Sequence, residues 1–389
     1  MKVVLVVAVI CASTGSAADP LVLSANALAT TSAPAGLVTV SADGDPGHGL
    51  TAEAVVWTAG GRVGEDRPHA DVLVMALRAH SADRRRTARI GRFVESLGAL
   101  RPVQLDGAAG RLVLPERIEL EAFAGVPVLP GLTTARAWDW IAGGRIARRI
   151  GDAGSIGVAY AQRRDDGRLA SEELGVDGGA SLGARDDLGA KLAYDLANPG
   201  VAEASLSASR RYRALRVELY TSYRAASHLL PATSLFSVLG DVPAERAGTV
   251  LTWRAAPRLD VAADLGVRRA DGSTAPEVVA RAKLRLDDRG TSALSGELRR
   301  DGIAGDAWTG ARGAARIALP RSLALGTEVE LVIPDHSRGR GAVWPWALVS
   351  LGWDDGTWQT ALAGEASASP EDRRRIDVLV QLGRRWSLR

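Results

Sequence analysis

Apolar residues recur at every second position through most of the second half of the chain, which is the spacing of a strand with two unlike faces. Leu215, Val217, Leu219, Thr221 and Tyr223 alternate with Arg216, Glu218, Tyr220, Ser222 and Arg224. Leu259, Val261, Ala263, Leu265 and Val267 alternate with Asp260, Asp264 and Arg268. Val278, Ala280, Ala282, Leu284 and Leu286 stand against Arg281, Lys283 and Arg285, and Leu323, Leu325, Thr327, Val329, Leu331 and Ile333 against Glu328 and Glu330. A last run, Ile376, Val378, Val380, Leu382, Trp386 and Leu388, is broken on its own face only by Arg384. Weaker patterns place strands at 21–30, 36–42, 51–59, 70–80, 86–95, 104–114 and 117–126.

Alternation alone fits a soluble sandwich with its apolar face inside or a membrane barrel with that face outside. Connection lengths separate the two. Tight polar turns at 149–154, 184–188, 211–214, 255–258, 287–291, 319–322 and 354–357 alternate with longer connections at 164–172, 196–201, 225–246, 269–276, 300–305, 334–342 and 366–372. Short turns on one rim and long loops on the other are the habit of outer-membrane barrels. The expected fold is therefore all-β, a transmembrane antiparallel up-and-down β-barrel of about 18–22 strands over residues 19–389, with both mature termini on the short-turn rim. Tryptophans give a second test, because such barrels carry aromatic girdles at both interfaces. Trp253, Trp353, Trp358 and Trp386 fall beside short turns or the C-terminus, and Trp57, Trp138, Trp140, Trp308, Trp344 and Trp346 fall at long-loop ends. All ten are girdle candidates, although 3 Phe and 5 Tyr are few for two complete belts.

Residues 1–18 read as a secretory signal peptide: Lys2, an apolar run from Val3 to Ala12, then small residues up to Ala18. Cleavage is expected between Ala18 and Asp19. A lipidated Cys11 is disfavoured by the large Ile10 before it, and Cys11 is the chain's single cysteine. The mature part thus has no disulfide, thiolate metal site or cysteine nucleophile. Lys+Arg 48 against Asp+Glu 45 gives a net +3, too small an excess for a nucleic-acid footprint. No nucleic-acid partner is expected.

The segments Ala88-Arg-Ile-Gly-Arg-Phe93, Val103-Gln-Leu-Asp-Gly107, Gly110-Arg-Leu-Val-Leu114 and Ile118-Glu-Leu-Glu-Ala-Phe123 resemble the strand run leading into the barrel of porin-like outer-membrane β-barrels of Gram-negative bacteria. The likeness extends over the mature chain by pattern more than by motif. It implies residence in outer-membrane lipid, insertion by the barrel-assembly machinery, and passage of small solutes or ions. A departure lies at the end: such proteins usually finish on an aromatic, whereas Leu388 is penultimate here and Arg389 last.

Ionised side chains at the density of Arg216, Glu218, Arg224, Asp260, Asp264, Arg268, Arg281, Lys283, Arg285, Glu328 and Glu330 cannot face lipid, where a midplane Arg costs roughly 2–4 kcal/mol. They are the pore-lining candidates, with ion-pair bracing of the wall as the alternative role. Unpaired, Arg281, Lys283 and Arg285 would favour anions. The apolar centre of the loop 225–246, Leu229 to Leu239, either folds inward as a constriction, meets a partner or packs over the rim. Ser181 sits in a G-x-S-x-G string without the helix a hydrolase elbow needs. The five histidines lack ligand spacing, and Asp43-Gly-Asp45 reads as a turn rather than a calcium loop. No catalysis, metal or cofactor is expected. The leading expectation is a passive outer-membrane channel. The alternatives are a sheath for a periplasmic partner filling the lumen, as in the porin component of a porin–cytochrome electron conduit, and a secreted soluble β-sandwich binding protein.

Overall fold

A computed structural model describes residues 21–30, 36–47, 49–60, 69–128, 139–225, 244–270, 272–302, 307–336, 343–368 and 374–388. The expected signal peptide, its Ala18/Asp19 junction, Trp138 and the apolar centre of the 225–246 loop lie outside these residues.

The described chain forms twenty-two strands. The first eleven are β1 (Leu21–Thr30), β2 (Gly36–Gly47), β3 (Leu50–Gly60), β4 (His69–His80), β5 (Arg86–Glu95), β6 (Val103–Val113), β7 (Ile118–Pro127), β8 (Trp140–Ile150), β9 (Gly154–Asp165), β10 (Arg168–Leu182) and β11 (Asp186–Asp195). The rest are β12 (Gly200–Tyr212), β13 (Leu215–Arg224), β14 (Ala244–Ala256), β15 (Leu259–Ala270), β16 (Ser273–Arg285), β17 (Ala293–Asp301), β18 (Trp308–Leu319), β19 (Leu323–Pro334), β20 (Trp344–Asp354), β21 (Trp358–Ser367) and β22 (Arg375–Leu388). Each pairs antiparallel with its neighbours in sequence, and β1 pairs with β22 from Leu21↔Leu388 to Thr30↔Leu379. That last ladder joins the two ends of one sheet, so no edge strand is left over. A single sheet also overturns the sandwich alternative, which needs two sheets facing each other.

Period 2 fixes which side chains face which way. The outer face carries the large exposed apolar residues, among them Leu219, Leu265, Leu298, Val329 and Ile376. The opposite face is concave. Residues 96–102 reach across it from β5 and β6 to β10, where a Cβ on Gly175 would lie 3.0 Å from Leu100 Cδ2.

Three connections expected to be long are tight instead. β9 runs to Asp165 and β10 resumes at Arg168, β11 and β12 are separated only by 196–199, and β15 and β16 by 271–272. Polar residues such as Arg163, opposite Ser171, and Arg268, opposite Ala275, continue the ladders, because a strand outside the apolar zone needs no apolar face. The loop expected at 225–246 likewise ends earlier, with β14 starting at Ala244. Asp43 to Asp45, read as a turn, belong to β2.

Turn chemistry closes the short rim. Between β20 and β21 the Asp355 carboxylate accepts the backbone N–H of Thr357 at 2.8 Å and of Trp358 at 2.7 Å, an Asx arrangement. The Trp358 and Thr357 amides hold its pKa below the ordinary 3.8. A depressed carboxylate stabilises above its unfolded pKa and loses that contribution as the pH falls through the folded one. The gap in unfolding temperature between wild type and Asp355→Asn should therefore be present at neutral pH and close only below pH 3.8, as read by heat-modifiability in detergent.

Candidate functional site: the lumen wall and its inward loop

The concave face divides into two unlike parts. On β4–β10 it is partly apolar. Phe93 and Leu105 are 0% exposed, Leu97 2% and Leu100 5%, and with Ala76, Phe123, Ile141 and Ala159 they form one cluster. Leu97 and Leu100 belong to the connection after β5, so that connection lies inside the barrel and not above it. Glycines on inward positions make room for it. Phe123 lies over Gly143, Leu100 over Gly175, and the Arg145 guanidinium over Gly157, where a Cβ would meet its Nε at 2.8 Å. Glycine is ordinarily unfavourable inside a strand; here each one lets a large side chain lie flat against the wall.

Charge anchors the same region. Arg145 on β8 crosses Gly157 to reach β10, its Nε and Nη2 donating to the Asp177 carboxylate at 3.0 and 2.6 Å, while Nη1 donates to Glu121 at 2.9 Å. The three side chains are only 14–22% exposed. A side chain on Gly98 would collide with Asp177, so the loop is seated directly on this trio. Arg101, at the loop's far end, pairs with the buried Glu173. Arg89 stacks over Phe93 at 4.6 Å and donates to Glu53 at 2.8 Å.

Across β13–β19 the wall is open and charged. By register Arg216, Glu218, Arg224, Asp260, Asp264, Arg268, Arg281, Lys283, Arg285, Glu328 and Glu330 all stand on the concave face. Most are paired. Arg216 meets Glu218 at 3.0 Å, Arg281 meets Glu297 at 2.6 Å, Arg312 meets Glu328 at 2.6 Å, and Arg285 and Arg254 share Asp260 at 3.3 and 3.4 Å. Arg224 reaches Glu203, and Arg268 lies 3.9 Å from both Glu277 and Asp301. Asp264 accepts the Tyr220 hydroxyl proton at 2.9 Å over Gly248. Lys283 and Glu330 make no ion pair among the described residues. The bracing and lining roles thus fall on different members of one set, with Lys283 the cation left to the lumen. Half-exposed pairs of this kind contribute roughly 0–1 kcal/mol each.

The tryptophans sit at strand ends, but not all on one face. Trp140, Trp253, Trp353, Trp358 and Trp386 take the outward phase, and Arg384, the break in the last apolar run, stacks on Trp358 at 4.6 Å and on Trp386 at 5.1 Å. Its guanidinium is therefore held on aromatic faces and not left bare. Trp57, Trp308, Trp344 and Trp346 share the concave face with Glu53, Arg312 and Glu330, so they stand outside any outer girdle. At a strand end a shift of one residue decides the face.

Ser181 lies at the end of β10 and donates its hydroxyl to Asp187 at 2.8 Å. No helix follows it. Among the described residues no group of three or more His, Cys, Asp or Glu is disposed to hold a metal ion. Sequence reasoning missed the 96–102 loop and Arg145; the signal available was the series Gly143, Gly157 and Gly175 on inward positions of consecutive strands.

No protein-family model and no curated protein matches this sequence. Solved structures do match in fold. The translocation pore of the P pilus usher PapC is 9% identical, with a TM-score of 0.53 over 96% of this chain and 100% of that one. The siderophore receptor PirA from Pseudomonas aeruginosa is 11% identical, with a TM-score of 0.57 over 95% and 80%. The ferric enterobactin receptor PfeA is 8% identical, with a TM-score of 0.63 over 96% and 82%. At these identities the likeness concerns architecture alone, and the architecture is that of Gram-negative outer-membrane β-barrels.

Proposed function

We propose that this chain is an outer-membrane channel through which small hydrophilic solutes or ions diffuse, narrowed by residues 96–102 and lined opposite them by the charged wall of β13–β19. The observation that carries the reading is the pairing of an apolar outer face with an ionised concave face, since only water inside and lipid outside suit both. Residues 1–18 would direct export, with cleavage between Ala18 and Asp19, and the barrel-assembly machinery would insert the remainder into outer-membrane lipid. No enzymatic step is assigned. The test is single-channel recording of the detergent-purified, heat-modifiable protein in planar bilayers. Discrete open steps with anion preference are expected; a membrane-embedded but silent barrel would overturn the reading.

Lys283 gives the selectivity its own check. At about 6 Å across water one wall charge is worth roughly 0.7 kcal/mol, or about threefold in relative permeability. Lys283→Glu reverses that charge, so the reversal potential in a salt gradient should move toward cations by at least that ratio, less at high salt.

One observation favours a second reading. Twenty-two strands enclose a wide lumen, of the size that is plugged in outer-membrane transporters, and residues 96–102 pack against β4–β10 alone. On this reading the barrel is a sheath for a periplasmic partner. It predicts co-purification of a protein that silences the channel and whose removal restores conductance.

A further inference from the structure

The wall is not equally closed all the way round. The β4–β5 ladder rises from His80↔Thr87 to Met75↔Arg92 and stops, although β4 continues to His69 and β5 to Glu95. At no other seam among the described residues do both strands run so far past the end of their shared ladder. Two irregularities produce the parting. In β4 the register skips Leu73, with Val74 opposite Val55 and Val72 opposite Val56. In β5, Gly91 has φ +123°, where a side chain would collide with the Met75 carbonyl, so that only glycine fits. Above this point β5 leaves β4 and turns with β6 into the lumen.

Side chains close what the backbone leaves open. Arg92 Nη1 donates to the Val72 carbonyl at 3.0 Å and to Asp71 at 3.0 Å, while its Nε and Nη2 donate to Asp106 at 2.7 and 2.8 Å. Gln104 Nε2 donates to the Leu73 carbonyl at 2.7 Å. On the outer face the seam opens into a recess of about 640 Å³ walled by Val72, Met75, Ile90, Ala108 and Ala124, with Arg92 and Asp106 at one end. It is continuous with the bilayer-facing surface, where Ile90 is 63% and Met75 52% exposed. Directly behind it, on the lumen side, lie Ala76, Phe93, Leu97, Leu100 and Leu105.

The apolar cluster that seats residues 96–102 also meets an apolar recess at the seam, where the backbone ladder stops short. We propose that the β4–β5 seam is a lateral portal for the acyl chain of a single-chain amphiphile, which docks in the outer recess and passes beneath Arg92 and Gln104 to the inner cluster. The floor of the recess is made of the small residues Gly91, Gly107, Ala108 and Ala124, which leaves depth against the strand backbones for a linear chain lying along the wall. The portal rests on the outer-membrane placement but not on conductance, so the two fail separately.

The test is photolabelling in vesicles with a diazirine-bearing long-chain fatty acid, with adducts mapped by mass spectrometry. Adducts are expected on Met75 and Ile90 outside and on Leu97 and Leu100 inside. Arg92→Ala with Gln104→Ala, which removes charge-assisted and neutral hydrogen bonds, should raise the inner adducts about tenfold. Ala108→Trp, which fills the recess, should abolish the inner adducts and leave single-channel conductance unchanged. If the double variant fails to assemble, Ala108→Trp alone decides. Adducts confined to the outer face in every variant would mean boundary lipid only and would overturn the portal.

Discussion

Replacing Leu97 and Leu100 together by serine should release residues 96–102 from the wall and raise the open-channel conductance. Both leucines are almost wholly buried, 2% and 5% exposed, and truncating a buried leucine to alanine costs roughly 2–5 kcal/mol. Serine adds a hydroxyl that must find a partner among Phe93, Phe123, Ile141 and Ala159, which offer none. The combined loss exceeds what the remaining contact can supply: Arg101 and Glu173 hold only the end of the loop. The ladders of β5 and β6 lie outside the substituted stretch, so the barrel should still assemble and stay heat-modifiable. Hydrogen–deuterium exchange gives an independent readout, since the backbone amides of 96–101 should exchange rapidly once the loop leaves the lumen. An unchanged conductance with those amides newly exchanging would place the narrowest point elsewhere, against the charged wall.

Much of this was legible from period 2. The segment 86–95 coincides with β5, 21–30 with β1, and four of the five strong second-half segments fall inside one strand, the fifth overrunning β16 by Leu286 alone, because strands that separate lipid from water must alternate. The same logic put the eleven charged candidates on one face. It failed where alternation carries no information. Arg164 to Asp165 and Glu245 to Arg246 read as loop because they are polar, although a strand that has left the apolar zone has no reason to alternate. Four tryptophans were assigned by position along the strand, which says nothing about phase at its end. Whereas 225–246, where length and apolarity pointed, lies for the most part outside the described residues, the inward loop at 96–102 has a short Ser-Leu-Gly-Ala-Leu-Arg-Pro sequence with no periodicity at all. Its placement is written in Gly175, which receives Leu100, and in Gly143 and Gly157, which receive the Phe123 and Arg145 side chains beneath it, and those are visible only once the strands are laid side by side.

The second large effect is expected at Arg145. Removing one partner of a desolvated ion pair leaves the other charge buried and uncompensated, at a cost of about 3–5 kcal/mol. Arg145→Ala strands two carboxylates, Glu121 and Asp177, at 22% and 18% exposure. The lumen-wall pair Arg312–Glu328 has the same contact length, 2.6 Å, as Arg145 to Asp177, but its arginine is 50% exposed. Water screens that pair, so Arg312→Ala should cost no more than roughly 1 kcal/mol. The contrast separates burial from geometry, and it is read from the temperature at which the compact band converts on a denaturing gel. Neutralising the stranded acids tests the cause: Glu121→Gln with Asp177→Asn in the Arg145→Ala background should recover most of the loss, because what destabilises is unpaired charge and not missing volume. The same rescue should reseat residues 96–102, since Gly98 rests on Asp177. A loss at Arg145 no larger than at Arg312 would show that water reaches the trio, and the inward loop would then depend on Leu97, Leu100 and the Arg101–Glu173 pair.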